Sequence, residues 1–417
     1  MTTILRASGA PQLLAAIPAL AGYTPSNSVV LIPFDRGRSQ GALRLDLPTY
    51  DDSGDYAEFA ATAIGITCRL PTVDGVAIVV YTDHSVHSSM HPRALGGIID
   101  AIGLRAEACD LHVIETIIVG CDGWLDHAEE KHEPLSLVQI PETPKVPGVG
   151  DVSGDQHSGL ALPTPTAQQR EEALYACNEL DKVFQALRLL QENHVACEHS
   201  DACCTPHELL DTLNKTAEAS GERIDPRALA MYQRLDDAPQ FLEEILDSPA
   251  GMTAYEAAAL SWCFSRPLVR DVALVQWARD RDHGDQALAA QLRFAETTVA
   301  VPEHIGGVLS GQGKAPDRDR MLLALSALRA AAALAPRAKT AGLLTGAAWI
   351  SWAIGRATHA EHYVAQAHAI DPDHSLAGLI RTMISASLLP DWAFTAPRGA
   401  AAISPAETES SLGFPDQ

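Results

Sequence analysis

Little in this sequence would tie it to a nucleic acid, a membrane or a familiar catalytic machine. Aromatic residues make up 5% of its 417 positions, and 30 Lys and Arg stand against 53 Asp and Glu, a formal net charge of −23. Sequence-independent binding to a phosphate backbone needs a basic face that releases counterions, and the chain has no basic cluster. Direct nucleic-acid binding is therefore not expected, and the acidic balance serves solubility. No apolar run approaches the roughly 20 residues of a membrane span. The stretch 114–119 is too short, and the apolar N-terminus is interrupted by Pro11, Pro18 and Gly22. That N-terminus also lacks the basic and purely apolar regions of a secretory signal. The eight cysteines are unevenly spread, four of them between 177 and 204. Without a signal, such spacing argues against a disulfide framework. Together these absences predict a cytoplasmic protein without membrane contact.

Familiar chemical signatures are absent too. There is no GxxxxGK[ST] phosphate loop, no GxGxxG after a strand, no GxSxG elbow and no HExxH. That removes the commonest nucleotide-binding, hydrolase and zincin readings.

What is present falls into two parts. Over residues 1–140 strand and helix signals alternate. After a short helix at Gln12 to Leu20, the apolar β-branched run Ser28 to Phe34 and the period-two run Ala42 to Leu47 flank a polar turn, which predicts a hairpin. A helix over 53–69, a buried strand over 75–81, a helix over 92–104 and a strand over 111–119 follow. The order ββαβαβ predicts an α/β domain with a mixed sheet and helices packed on it. Residues 141–167 are dense in Pro and Gly and read as a linker or extended loop.

The rest reads as all-α. Leu180, Val183, Phe184, Leu187 and Leu190 form one apolar stripe, opening a helical block over 168–305. A Gly-rich break at 306–316 separates it from a second block over 317–389. In that block Ala324, Ala331 and Pro336 are spaced by seven and five. Ala360, Ala367 and Pro372 repeat the spacing 36 residues later, with Gly355 five before Ala360. This is the second-helix pattern of a tetratricopeptide unit, although Asp319 stands where the earlier copy needs glycine. The hairpins either complete the core or present a surface to a partner. Beyond 390 the pattern is lost and a disordered tail is expected. Trp262, Trp277, Trp349 and Trp352 fall at core-like positions and read as packing anchors.

Several stretches resemble the actinobacterial domain-of-unknown-function family 4192. They are Leu20, Gly22, Tyr23, Pro25 and Ser28 to Val30, then Arg44 to Pro48, then Val119 to Trp124. In the helical part they are Arg270-Asp271 and the block from Trp349 through Asp371-Pro372 to Leu376-Ala377. The resemblance spans most of the chain outside 141–230 and the tail. It implies the fold above and supplies no catalytic residues.

Two local clusters carry chemistry. The segment 192–208 holds His194, Cys197, Cys203 and His207, two pairs that could close on one tetrahedral ion as a structural zinc site. Its spacing matches no zinc-finger class. A polar turn between helices, or a redox pair at Cys203 and Cys204 before a helix N-terminus, explains the same residues. The second cluster, 82–91, follows a strand at the edge where α/β sheets gather ligands. There Asp83 and His84, with Arg44 and Asp46 on one side of a period-two strand, are candidate ligand residues. Arg44 and Asp46 also read as an ion pair that fixes the hairpin. The expected function is a binding or regulatory protein that uses its helical, repeat-like surface for a protein partner. The alternative is an enzyme of unassigned class with its site at the sheet edge.

Overall fold

The structure is a computed structural model that describes residues 3–7, 9–48, 56–87, 91–129, 133–147, 149–194, 224–395 and 401–405. It divides into two compact units, 1–158 with 394–417 and 159–393. The division falls inside the Pro/Gly-rich stretch.

The first unit is α/β. Its elements are β1 (Thr3–Ala7), α1 (Ala10–Ala21), β2 (Ser28–Asp35), β3 (Arg38–Ser39), β4 (Leu43–Asp46), α2 (Ala57–Thr67), β5 (Gly75–Tyr81), α3 (His91–Glu107), β6 (His112–Val119) and β7 (Trp124–Asp126). The main sheet runs β3-β2-β5-β6-β7, with β4 also paired to β2. It is mixed: β5 and β6 are parallel, and the other neighbours are antiparallel. The central strands read as unbroken apolar runs because both faces are covered. On one face Val29, Leu31, Val76, Ile78, Val80 and Ile118 meet α2 and α3. On the other, Val30, Ile32, Phe34, Ala77, Val79 and Ile117 meet Leu13, Leu14 and Ile17 of α1. α1 opens with a proline in its first turn and closes on Gly22, whose left-handed φ of 83° lets its amide reach the Pro18 carbonyl at 2.8 Å. Glycine adopts that conformation at no steric cost.

The sequence pattern leaves two features of this unit unread. Residues 401–405 are not a featureless tail. They form β8 (Ala401–Pro405), which pairs in parallel with β1. Ile403 is buried and donates its amide to the Ser39 hydroxyl at 2.7 Å. Five residues of small and apolar character are too short to show a period. The stretch before 158 is irregular but tied down. The Thr24 amide donates to the Gly154 carbonyl at 2.8 Å, and Gln156 exchanges two hydrogen bonds with the Ser26 backbone.

The second unit is helical: α4 (Ala167–His194), α5 (Pro226–Leu235), α6 (Ala238–Glu244), α7 (Ala254–Phe264), α8 (Pro267–Ala278), α9 (Arg281–Thr297), α10 (Glu303–Gly306), α11 (Arg318–Leu334), α12 (Ala341–Ala353), α13 (Ala357–His368) and α14 (Ser375–Ser385). α12 is the centre of the unit, and all thirteen of its residues are buried. It packs on α7, α11, α13 and α14. Glycine makes the closest approach possible: a Cβ on Gly342 would lie 2.1 Å from the Phe264 carbonyl oxygen. Trp277 and Trp349 are fully buried and donate their indole N–H groups to the Leu242 and Leu309 carbonyls, while Trp262 is only partly buried. Among the described residues, no helix is long and apolar enough to cross a membrane.

Candidate functional site

The end of the sheet where β5 and β6 finish also receives the start of β2 and the end of β4. Antiparallel pairing sets Ser28 opposite both Tyr81 and Asp46. Parallel pairing sets Tyr81 beside Val119. Chain order alone thus brings the loops 24–28, 82–87 and 120–123 together.

Arg44 and Asp46 point to one side of β4, as period two requires, and form an ion pair at 2.5 Å. The Arg44 side chain is 9% exposed and that of Asp46 is 76% exposed. The Arg44 Nε donates to the Ser28 hydroxyl at 2.8 Å, and that hydroxyl donates to the Ser26 carbonyl at 2.6 Å. Asp83 lies one step further along the same edge. It accepts from the Asn27 side-chain amide and from the Ser26 hydroxyl, and its own amide donates to the Asn27 side-chain oxygen at 2.9 Å. Asn27 holds φ at 43°, a conformation that short polar side chains tolerate. Arg44, Asp46 and Asp83 therefore share one edge through Ser26, Asn27 and Ser28. The His84 backbone joins a neighbouring turn, with its amide on the Thr82 hydroxyl at 3.2 Å and its carbonyl accepting from Cys121 at 3.2 Å.

A second carboxylate, Asp122, organises the loop from the β6 side. It accepts from the Ser85 hydroxyl and from the Val86 amide at 3.0 Å. The Ser85 hydroxyl, the Val86 amide and the nearby His87 hold its carboxyl below the ordinary range. Gly120 is required here, because a Cβ would lie 2.4 Å from the His84 carbonyl oxygen. Tyr81 sits beneath, and burial pushes its hydroxyl above the ordinary tyrosine range. The stretch Val119 to Trp124 is thus a close-packed turn. Its polar groups bind loop to loop, and among the described residues no group of three or more His, Cys, Asp or Glu could hold a metal ion.

Of the expected zinc ligands, Cys197, Cys203 and His207 lie outside the described residues, and His194 is described only as the last backbone position of α4.

The helical unit holds a polar cluster that sequence reasoning did not assemble. Arg270 on α8 grips its neighbour Asp271 through Nε at 2.9 Å and Nη2 at 2.8 Å. Burial raises the Asp271 carboxyl above its ordinary range, against the pull of Arg270. His374 caps α14 by accepting the Ala377 amide at 3.4 Å on Nδ1. Burial first, then the Arg270 charge, lowers its imidazole below the ordinary histidine value. Thr345 of α12 lies 3.5 Å from the same nitrogen. A charged pair inside the apolar run PLVRDVALVQWA is the signal that points to it. The ion pair lies within α8, and the Arg270 charge reaches His374 at the start of α14.

Comparison with known proteins adds a family and no relative. A family model described as a domain of unknown function, DUF4192, matches residues 11–391. No curated protein and no solved structure matches the chain.

Proposed function

The chain belongs to the DUF4192 family, and on that premise we propose that it is a binding or regulatory protein whose helical unit holds a helix of a protein partner. The helices α11 to α14 supply the basis. Ala324 and Ala331 on α11, and Ala360 and Ala367 on α13, are fully buried at matching positions, and a proline follows each helix. This supports a reading as tetratricopeptide-like hairpins, with α12 and α14 as first helices and α11 and α13 as second helices. α12 is enclosed on every side, so no groove opens along it. α14 is different. It packs on α12 and α13, and a hairpin series would place one further helix against it. Leu379 stands 62% exposed on α14, and Leu388 just beyond is 49% exposed.

The observation that carries the reading is the exposure of Leu379 on a helix that, among the described residues, no long second helix follows. An amphipathic partner helix with apolar residues at i and i+4 has the right form for that place. Covering Leu379 would contribute about 1–2 kcal/mol. A net charge of −23 favours a partner with a basic flank. The enzyme reading draws less support, because Arg44, Asp83 and Asp122 direct their hydrogen bonds to neighbouring loops.

The test uses the full chain as bait in extracts of a host that expresses it. Wild type should recover a specific protein that Leu379→Glu loses, with an unchanged melting temperature for the variant. Equal recovery by the two baits, or no specific protein with wild type, would refute the proposal.

A further inference from the structure

The parallel pair β5–β6 has a second consequence, at the opposite end of the sheet. The helices that precede these strands, α2 and α3, lie on the same face and pack against each other. Each ends just before its strand begins, and Gly75 and Asp74 meet His112 across the pairing. The two C-terminal helix turns therefore run side by side. Each carries a cysteine. Cys68 is the cap residue of α2, with its amide on the Ile64 carbonyl, and it is exposed. Cys109 follows α3, with its amide on the Ala106 carbonyl at 2.9 Å, and it is half-buried against the apolar layer. The two thiols are near neighbours, each on a helix end of the same packed pair, and Cys109 acts on the Cys68 thiol.

We infer that Cys68 and Cys109 form a thiol–disulfide site that reacts with low-molecular-weight disulfides. Two thiols on adjoining helix ends of one packed layer can be joined when their Cα atoms lie within disulfide range. Exposure makes Cys68 the attacking residue and leaves Cys109 as the resolving one. The Cys68 thiolate attacks one sulfur of the reagent RSSR, forming a mixed disulfide and releasing RS⁻. The Cys109 thiolate then attacks the Cys68 sulfur and expels the second RS⁻. The protein loses two electrons and two protons, and the reagent becomes two RSH. The product ties the ends of α2 and α3 together.

The surroundings tune the first step. Burial and the neighbouring Cys109 hold the Cys68 thiol above its ordinary value, while Arg105, one turn earlier on α3, opposes them. Cys68 also sits at the negative end of a helix dipole, which disfavours thiolate. The reaction therefore accelerates as pH rises.

The full chain, reduced and then exposed to oxidised glutathione, tests this. After unreacted thiols are blocked, peptides are mapped without reduction. The expected product joins Cys68 to Cys109, whereas Cys121, exposed at the far end of the sheet, carries glutathione. Cys109→Ser should trap glutathione on Cys68. The wild-type map alone decides the matter should that variant fold poorly. Persistent glutathione on Cys68 in wild type overturns the inference. So does pairing of Cys68 with another cysteine, or an unreactive Cys68 beside a reactive Cys121.

Discussion

Gly342→Ala on α12 tests the packing argument at its tightest point. In a helix interior that change ordinarily stabilises by about 1 kcal/mol, because alanine restricts the unfolded chain and favours the helix. Here the new methyl would lie 2.1 Å from the Phe264 carbonyl oxygen and 2.8 Å from its carbonyl carbon. A carbon–oxygen contact relaxes at about 3.3 Å, so α7 and α12 would have to separate by about 1 Å. The obstructing atoms are backbone and cannot rotate aside. Overpacking of this kind costs about 1–3 kcal/mol, occasionally more, and a backbone clash belongs at the upper end. The net expectation is destabilisation of about 2 kcal/mol. For a unit of this size that is a fall in melting temperature of about 4–8 °C. Gly378→Ala on α14 is the matched control, since nothing lies within 4 Å of its Cβ position. It should raise the melting temperature. Five of the six tryptophans, Trp262, Trp277, Trp349, Trp352 and Trp392, belong to the helical unit. Tryptophan fluorescence during thermal unfolding therefore follows that unit. A Gly342→Ala protein that melts at or above wild type would refute the close packing of α7 on α12.

Glu243 accepts two hydrogen bonds of 2.5 Å from Arg320, and the guanidinium first of all holds its carboxyl below the ordinary range. The depressed folded value means that the contribution, about 1 kcal/mol for a partly exposed pair, is complete above the ordinary glutamate value of about 4.3. It is lost as pH falls through the folded value. Urea midpoints of wild type and Glu243→Gln should differ at neutral pH and converge in acid, and a constant gap would contradict this. At the sheet edge, a metabolite and nucleotide panel should leave the melting temperature unchanged, since a ligand of the folded state raises it by mass action. A rise that Asp83→Ala abolishes would transfer the function to Asp83, His84 and Arg44.

The features legible in the sequence are those set by local pattern. The apolar runs of β2 and β5 announce strands buried on both faces. The period-two alternation of β4 is enough to put Arg44 and Asp46 on one side, and the pair forms as that geometry requires. The features that escaped depend on a partner distant in the chain. β8 is defined by β1, nearly the whole sequence away, and its five residues carry no period of their own. Gly342 looks like an unfavourable helix residue until Phe264 is placed beside it.

Cys68 and Cys109 are free, so the expectation of no disulfide framework is not contradicted. Spacing along the chain does not tell where a fold brings two thiols near each other. A parallel strand pair with both preceding helices on one face brings them near, because it sets successive helix ends side by side. The same reasoning applies to Asp83 and Asp122, which share a sheet edge because parallel strands finish together. Opposite ends of the β5–β6 pair thus gather opposite chemistries. Carboxylates with hydroxyl and amide donors stabilise the loops at the carboxyl end, and paired thiols occupy the amino end.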